Sequence, residues 1–320
     1  MQAAPITFVP LFMERVWGGR RLEGHYGKPL PADAAIGEAW ELVDRAEAQS
    51  VVATGPLAGR ALEELWGGPE RERLFGVRAR DAGTRFPVLV KLLDARDTLS
   101  VQVHPPAPLA AAQGGEPKTE VWYVAAAAPG AHLFAGLRAG VTREALTAAL
   151  EAGSDVTALL HRVDVREGDA ILIPSGRVHA IGAGCLIVEV QQNSDTTYRV
   201  YDFDRPGLDG RPRELHVAQS LASIDFDDAE PALRAPGDGE IARTPYFTVT
   251  RRTLGPDGQQ AAPAGECALL CVLEGVAVCG GRRFGPGAFF LVPAWAAELA
   301  PVAGPATVLV IELPDGSARA

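Results

Sequence analysis

The sequence predicts a mainly β fold made of two related β domains with a small helical insertion. Much of the chain consists of short apolar or β-branched runs separated by Gly and Pro, which is typical of strands and turns. An internal repeat points the same way, because residues 167–174 are matched by residues 286–293 and Gly precedes Pro by six positions in both. In each copy the Gly opens a turn, apolar residues form a strand, and the Pro ends it because it has no amide donor.

Several strands are predicted in the first two thirds of the chain. Each is a run of apolar residues that is bounded by polar or turn-forming ones. The predicted strands cover residues 86–93, 99–104, 121–126, 170–174 and 186–191.

Three helical segments are predicted between the strands. The first lies near residues 57–74, where apolar residues recur at helical spacing. The second lies in an insertion at about 138–163, where a helix ends near Gly153 and Ser154 is expected to cap a short helix after it. The third covers residues 213–224.

An acidic stretch rich in Pro and Gly, residues 225–240, is the natural boundary between the two domains. The first domain is therefore expected to cover residues 1–235, including the insertion, and the second residues 236–320. The two copies of the repeat differ where chemistry would lie, because His179 stands five residues after the Pro of the first copy and Glu298 occupies that place in the second. The second domain is expected to be degenerate and to lack a metal site.

The composition excludes several classes of partner. With 30 basic and 40 acidic residues the net charge is −10, which disfavours binding to nucleic acid and to anionic membranes. No apolar run approaches the length of about 20 residues that a membrane span needs, and the first ten residues lack a secretory pattern. The four cysteines form no close CxxC pair and are expected to be buried reduced thiols. We therefore expect a cytoplasmic protein that binds a small molecule, as a monomer or small homo-oligomer.

Four residues form a candidate metal site. Gln102 and His104 are separated by one residue on a predicted strand, so both side chains project from one face of the sheet. Glu120 opens the next apolar run, and His179 follows the first copy of the repeat. Two imidazoles, one carboxylate and one amide oxygen suit a divalent cation such as zinc and leave the site net positive. The competing interpretation is that each is an ordinary structural residue, as we expect for the other four histidines.

Polar residues near these four indicate a substrate site. Only three lysines occur beside 27 arginines, and two of them, Lys91 and Lys118, flank the candidate ligands, which favours a role for an ammonium group there. Glu189 lies on an apolar run and is expected to face the same interior, while Arg199 would reach an anionic group of the substrate. A solvated edge strand is the alternative interpretation of the segment around Asp195 and Arg199.

At these residues the sequence resembles the type I mannose-6-phosphate isomerases, in particular their short bacterial form. The resemblance covers about residues 5–225 and departs from the family pattern at Pro117, where some members carry a histidine, and at Thr196 and Thr197. The segments that carry it are 16–19 (VWGG), 36–41 (IGEAWE), 86–95 (FPVLVKLLDA), 99–105 (LSVQVHP), 118–120 (KTE), 168–180 (GDAILIPSGRVHA), and Glu189 with Ser194, Asp195 and Arg199.

The resemblance implies cupin-type β-barrels of the jelly-roll kind. It also implies a metal-dependent aldose–ketose isomerase that interconverts mannose 6-phosphate and fructose 6-phosphate through an enediolate, with zinc or another divalent cation as cofactor. The implied roles are metal binding by Gln102, His104, Glu120 and His179, catalysis by Arg199, Lys118 and Glu189, and substrate binding by Lys91, Ser100 and Asp195.

Two other functions stay open at this point. A non-catalytic sugar-binding or regulatory cupin would keep the fold, with or without the metal, and the retention of Lys118, Glu189 and Arg199 argues against it. A cupin oxygenase that uses iron would be favoured by three histidine ligands, and Gln102 in one of the ligand positions counts against it.

Overall fold

The computed structural model describes residues 4–296 and 302–314, and it confirms a mainly β fold. All the predicted strands are present, with ends shifted by no more than about two residues. In chain order, the strands in this part of the chain are β1 (Leu11–Gly19), β2 (Ile36–Leu42), β3 (Asp44–Arg45), β4 (Ala48–Gln49), β5 (Val88–Ala95), β6 (Val101–Val103), β7 (Glu120–Ala127), β8 (His132–Leu137), β9 (Leu160–Asp164), β10 (Ala170–Ile173), β11 (His179–Ile181), β12 (Cys185–Gln192), β13 (Tyr198–Tyr201), β14 (Gly239–Arg243), β15 (Thr248–Leu254), β16 (Ala268–Gly275), β17 (Ala277–Cys279), β18 (Arg282–Phe284), β19 (Phe289–Val292) and β20 (Ala306–Glu312).

The helices are short and lie between the strands. None of those in the described ranges is long and apolar enough to cross a membrane. All four cysteines are buried thiols, as the sequence predicts. The helices are α1 (Arg21–Tyr26), α2 (Leu62–Gly67), α3 (Arg71–Phe75), α4 (Ala107–Ala112), α5 (Arg143–Glu151) and α6 (Val217–Ser223), with 3-10 turns at Val77–Ala79, Val156–Leu159 and Ala294–Ala296.

The prediction of one helix near residues 57–74 is wrong. Two helices, α2 and α3, occupy the region, because Gly67, Gly68 and Pro69 interrupt the helical run and Gly68 has an extended conformation. The third predicted helix, over residues 213–224, is present as the shorter α6.

The helical insertion forms as predicted, with one cap misassigned. Thr142 caps α5 through its side chain, and Gly153 follows the helix with a left-handed φ of 63°. The following 3-10 turn is capped by Asp155 and not by Ser154, because the Asp155 carboxylate accepts a hydrogen bond from the amide of Thr157.

Two antiparallel sheets enclose one apolar core. Sheet A has the strand order β1-β2-β5-β12-β7-β10, and sheet B has the order β13-β6-β11-β8-β9. Their facing surfaces share a cluster in which Trp122 and Ile187 of sheet A pack with Leu133 and Ile181 of sheet B. In the described part of the chain the edge strands of the two sheets do not pair with each other, so a closed barrel is not found there and the barrel architecture stays a prediction.

A third sheet covers the outer face of sheet A. Sheet C has the order β14-β15-β20-β16-β19, and its residues Val249, Leu269 and Leu309 belong to one apolar cluster with Val90 and Val188 of sheet A. Sheet A is therefore covered on both faces, and every residue of its central strand β5 is buried. The hairpin of β17 and β18 packs on the far side of sheet C.

Sheets A and C share a strand order. The series β5-β12-β7-β10 in sheet A corresponds to β15-β20-β16-β19 in sheet C. The two copies of the sequence repeat form the edge strands β10 and β19, and the glycine before each has a left-handed φ, 89° at Gly168 and 75° at Gly287. This agrees with two related β units, whereas the boundary near residue 235 stays a prediction. Glu298, the counterpart of His179 in the repeat, lies outside the described residues.

Candidate metal centre

Three of the four predicted ligands converge between sheets A and B. Glu120 is the first residue of β7, His179 is the first residue of β11, and His104 follows the end of β6. The Nε2 atoms of His104 and His179 lie 3.4 and 3.6 Å from the two carboxylate oxygens of Glu120, and the two imidazole centroids are 4.7 Å apart. Among the described residues these form the one group of three or more His, Cys, Asp or Glu side chains close enough to share a metal ion.

Backbone carbonyls fix the orientation of both imidazoles. Nδ1 of His104 lies 3.0 Å from the carbonyl oxygen of Thr196, and Nδ1 of His179 lies 2.8 Å from that of Arg177. A carbonyl oxygen only accepts hydrogen bonds, so each Nδ1 carries the proton and donates it. Each Nε2 is then left with a lone pair on the side of Glu120, which is the tautomer that a metal ligand needs.

Burial and neighbouring charges together keep the three side chains in the protonation states of metal ligands. It lowers the pKa of His104, with Lys118 acting in the same direction, and it lowers the pKa of His179 to about 3 together with the neighbouring His104. Burial opposes the ionisation of Glu120, but Lys118 and the two histidines outweigh it and hold the pKa of that carboxyl well below its usual range. Two neutral imidazoles and one carboxylate therefore face each other at neutral pH.

The donor atoms of the three side chains fit a divalent cation. His104 Nε2, His179 Nε2 and Glu120 Oε1 are buried, and none has a hydrogen-bond partner among the residues that the structure describes. Buried polar atoms without a partner are costly and need an explanation. A cation between them would satisfy all three, and nitrogen and oxygen donors of this kind suit zinc as well as other first-row divalent metals.

Gln102 faces the interior of the sandwich. Its neighbours Val101 and Val103 pack into the apolar cluster on the other side of β6, so the alternation of the strand turns Gln102 inward. In the sheet it is paired with His179 on one side and with Arg199 on the other, and its half-buried side chain lines a cleft. Its role as a fourth ligand stays a prediction.

The cleft has a volume of about 550 Å³ and lies beside the three buried ligands. Lys118 links the two, because it lines the cleft and its Nζ lies 2.8 Å from Glu120 Oε2. A volume of this size suits a metabolite. The cleft brings together the other predicted site residues, namely Lys91, Ser100, Gln102, Lys118, Glu189, Asp195 and Arg199.

One wall of the cleft carries a row of alternating charges. Arg15 donates to both oxygens of Glu38 at 3.1 Å, Lys91 Nζ lies 4.0 Å from Glu38 Oε2, and the same Nζ lies 3.2 Å from Glu189 Oε1. Burial raises the pKa of Glu189, as does the nearby Glu120, whereas Lys91 lowers it. The row therefore gives each buried carboxylate a cationic neighbour.

Arg199 lies in a group of arginines at another wall of the cleft. The carboxylate of Asp202 accepts hydrogen bonds from Arg205 at 2.9 Å and from Arg213 at 2.6 Å, and it lies 4.0 Å from Nε of Arg199. Nη1 of Arg199 donates to the carbonyl oxygen of Glu214 at 2.8 Å. Burial lowers the pKa of Arg199, and Arg213 acts in the same direction. Three guanidinium groups around one carboxylate leave net positive charge, which suits an anionic group of a ligand.

Sequence reasoning gave no role to Glu38 and Trp122, which lie against Lys91 and Glu189. It also gave none to Arg15, which pairs with Glu38. Trp122 donates a hydrogen bond from Nε1 to Glu189 Oε2 at 3.0 Å. Its place two residues after Glu120 on a predicted strand was a signal that both face one side. The link from Arg15 to Glu38 has no counterpart in any sequence pattern, because these residues are distant along the chain and meet only through the pairing of β1 with β2.

Comparisons with known proteins point to one family. The family model described as phosphomannose isomerase type I, catalytic domain, matches residues 7–133. The probable mannose-6-phosphate isomerase GmuF of Bacillus subtilis (strain 168) is 38% identical over 281 residues, which are 85% of this chain and 86% of that protein. The mannose-6-phosphate isomerase ManA of the same organism is 44% identical over 227 residues, which are 70% of this chain and 69% of that protein. A crystal structure of the mannose 6-phosphate isomerase from Bacillus subtilis has a TM-score of 0.83 at 30% identity and covers 97% of this chain and 100% of that chain.

Proposed function

Because the chain belongs to the type I phosphomannose isomerases, a family of sugar-phosphate isomerases, we propose that it interconverts mannose 6-phosphate and fructose 6-phosphate with a divalent metal ion. The main support for the proposal is that His104, Glu120 and His179 lie close together beside a cleft. The same cleft is lined by Glu189 and Arg199. A buried carboxylate and a guanidinium group beside a metal site are what an isomerase needs. A protein that only binds sugar has no need of a buried base.

His104, Glu120 and His179 would hold the metal, with Gln102 as the proposed fourth ligand. Zinc is our first candidate, because two imidazoles and a carboxylate are typical ligands of that ion. When bound, the metal supplies positive charge that stabilises the oxygens of an enediolate and so lowers the barrier to its formation.

The isomerisation moves one proton between neighbouring carbons. A base takes the proton from C2 of the open-chain aldose and returns it to C1, while a second proton passes from O2 to O1, so the atoms of aldose and ketose balance. Glu189 and Lys118 are the candidates for this base. We favour Glu189, because Lys118 is held as an ammonium. Burial favours its neutral form, but Glu120, whose Oε2 lies 2.8 Å from Nζ, outweighs burial and raises the pKa of Lys118.

The other polar residues of the cleft would bind the substrate. Arg199 stands in the most positive part of the wall, so we assign it, together with Lys118, to phosphate or hydroxyl oxygens of the sugar. Lys91, Ser100 and Asp195 line the same cleft and would donate to or accept from the remaining hydroxyl groups.

A coupled assay with mannose 6-phosphate, with and without a chelator, tests the proposal. The purified protein should turn over this substrate, lose activity with the chelator and regain it with zinc, and elemental analysis should find about one metal ion per chain. His179→Ala should lose both metal and activity, whereas the control His161→Ala, outside the cleft, should keep both. A panel of hexose and pentose phosphates measures the substrate preference.

The outcomes separate the alternatives. Stoichiometric metal and sugar binding without turnover would favour the non-catalytic cupin, and oxygen uptake after reconstitution with iron would favour the oxygenase. Turnover that a chelator does not affect would refute the metal role of His104, Glu120 and His179.

The proposal also covers the domain architecture, the cellular location and the oligomeric state of the enzyme. We interpret the two related β units as cupin-type units of the jelly-roll kind, divided near residue 235, of which only the first holds the metal. We also expect a cytoplasmic monomer or small homo-oligomer, which size-exclusion chromatography with light scattering would test.

A further inference from the structure

Trp122 contacts both halves of the site. It is fully buried on β7, two residues after Glu120, so its side chain projects into the same interior. Its ring meets the imidazole of His179 edge to face, with the centroids 5.2 Å apart and an angle of 80° between the planes. Its Nε1 donates to Glu189 Oε2 at 3.0 Å. One side chain therefore touches a proposed metal ligand and the proposed base.

The register of sheet A holds this arrangement in place. Glu189 of β12 is paired directly with Trp122 of β7 on one side and with Lys91 of β5 on the other. The three side chains thus form a row across the sheet, in which the indole N–H holds Oε2 and the ammonium lies 3.2 Å from Oε1. Within the described residues Oε1 accepts no hydrogen bond, and Glu189 lines the cleft. The two oxygens of the carboxylate are therefore distinguished, because the indole N–H holds Oε2 whereas in the described chain Oε1 is paired only with the Lys91 ammonium.

We propose that Trp122 is a positioning residue that fixes the Glu189 carboxylate by its indole N–H, so that Oε1 points to the carbon-bound proton of the sugar. The inference rests on the proposed function, because it assumes that Glu189 is the base. Without the indole N–H the carboxylate would keep only its pairing with the Lys91 ammonium, so it would rotate more freely and spend less time in the reactive orientation.

The other interpretation is that Glu189 only satisfies a buried N–H. Trp66 provides a matched control for substitution of Trp122. It is also fully buried, and its Nε1 donates to the carbonyl oxygen of Gly83 at 3.2 Å. It lies outside the cleft. Replacing either tryptophan by Phe removes one buried N–H and keeps an aromatic ring.

Kinetics of Trp122→Phe and Trp66→Phe distinguish the two interpretations. We expect Trp122→Phe to lower kcat about 10-fold with KM changed less than about 2-fold and with unchanged metal content, and Trp66→Phe to keep wild-type kinetics. In a Glu189→Gln background, Trp122→Phe should have no further effect on kcat. Equal kcat values for the two single variants, or the same 10-fold loss in the Glu189→Gln background, would overturn the inference. An inactive wild-type protein would instead refute the proposed function.

Indole NMR signals test the contact without any activity and without a metal. The chain has five tryptophans, and phenylalanine variants of the other four assign the Trp122 signal by exclusion even if Trp122→Phe does not fold. Glu189→Gln should shift the Trp122 indole proton upfield, because a carboxylate is a stronger acceptor than an amide. Glu38→Gln should shift only the signal of Trp40, whose Nε1 donates to Glu38 at 2.6 Å. A Trp122 signal that Glu189→Gln leaves unchanged would refute the contact and the inference with it.

Discussion

Replacing Glu38 by Gln should destabilise the protein in a pH-dependent way. Burial raises the pKa of this carboxyl, but Lys91 and Arg15 outweigh burial and bring it to about 2, against an ordinary value of 4.5. The difference of about 2.5 pH units corresponds to about 3 kcal/mol at about 1.4 kcal/mol per unit. Because the pKa is lower in the folded state, this stabilisation is fully present above pH 4.5, is about half lost at pH 3 and disappears as the pH falls toward 2.

Urea unfolding of wild type and Glu38→Gln measures the effect, with a chelator present so that metal binding does not contribute. The difference in the free energy of unfolding should be about 3 kcal/mol at pH 7 and should shrink between pH 4.5 and pH 3. Glu23→Gln is the control, because Glu23 pairs with Arg20 at 2.9 Å but is half exposed, and such surface pairs contribute less than about 1 kcal/mol. A difference at pH 7 no larger than that of the control, or one that does not change with pH, would refute the reasoning.

Other predictions concern single side chains. Arg199→Ala should keep stoichiometric metal by elemental analysis but lose about 100-fold in kcat, and near-normal turnover would remove it from the mechanism. Gly287→Ala should lower the free energy of unfolding by about 2–3 kcal/mol, because φ is 75° and the new Cβ would lie 2.5 Å from the Tyr26 side chain. Gly285 has open space around it in the described chain, so Gly285→Ala should change the free energy of unfolding by less than about 0.5 kcal/mol. Equal effects of the two substitutions would refute this account. Thr142→Ala should cost about 1 kcal/mol in urea unfolding, because its hydroxyl caps α5 at the amide of Ala145, and an unchanged midpoint would show that the cap contributes nothing.

The features that the sequence predicts well are local ones. Gly168 and Pro174 bracket β10 within a few residues, so turn, strand and stop follow from neighbouring positions. The spacing of Gln102 and His104 likewise needs only the alternation of one strand. The prediction of a single helix near residues 57–74 was wrong for a local reason that the sequence also contains, since Gly67 and Gly68 lie in the middle of that segment.

Contacts between distant segments were not predictable in the same way. The tautomers of the two histidines depend on the carbonyls of Thr196 and Arg177, and every residue type has a carbonyl. No sequence pattern can therefore predict which backbone carbonyl accepts a hydrogen bond from a given histidine. The covering of sheet A by sheet C is indicated in the sequence, because β5 reads Val-Leu-Val-Lys-Leu-Leu and has apolar residues at both odd and even positions. A strand of that kind predicts a sheet covered on both faces, although not which segment covers it.

Sheet A lies buried between sheets B and C, so it ties the layers that hold the candidate metal site to the unit that is proposed to bind no metal. A fragment that ended near residue 235 would leave Val90 and Val188 facing water and would self-associate through that bare surface. Loss of the second β unit would therefore expose apolar residues of sheet A unless its outward-facing positions also became polar.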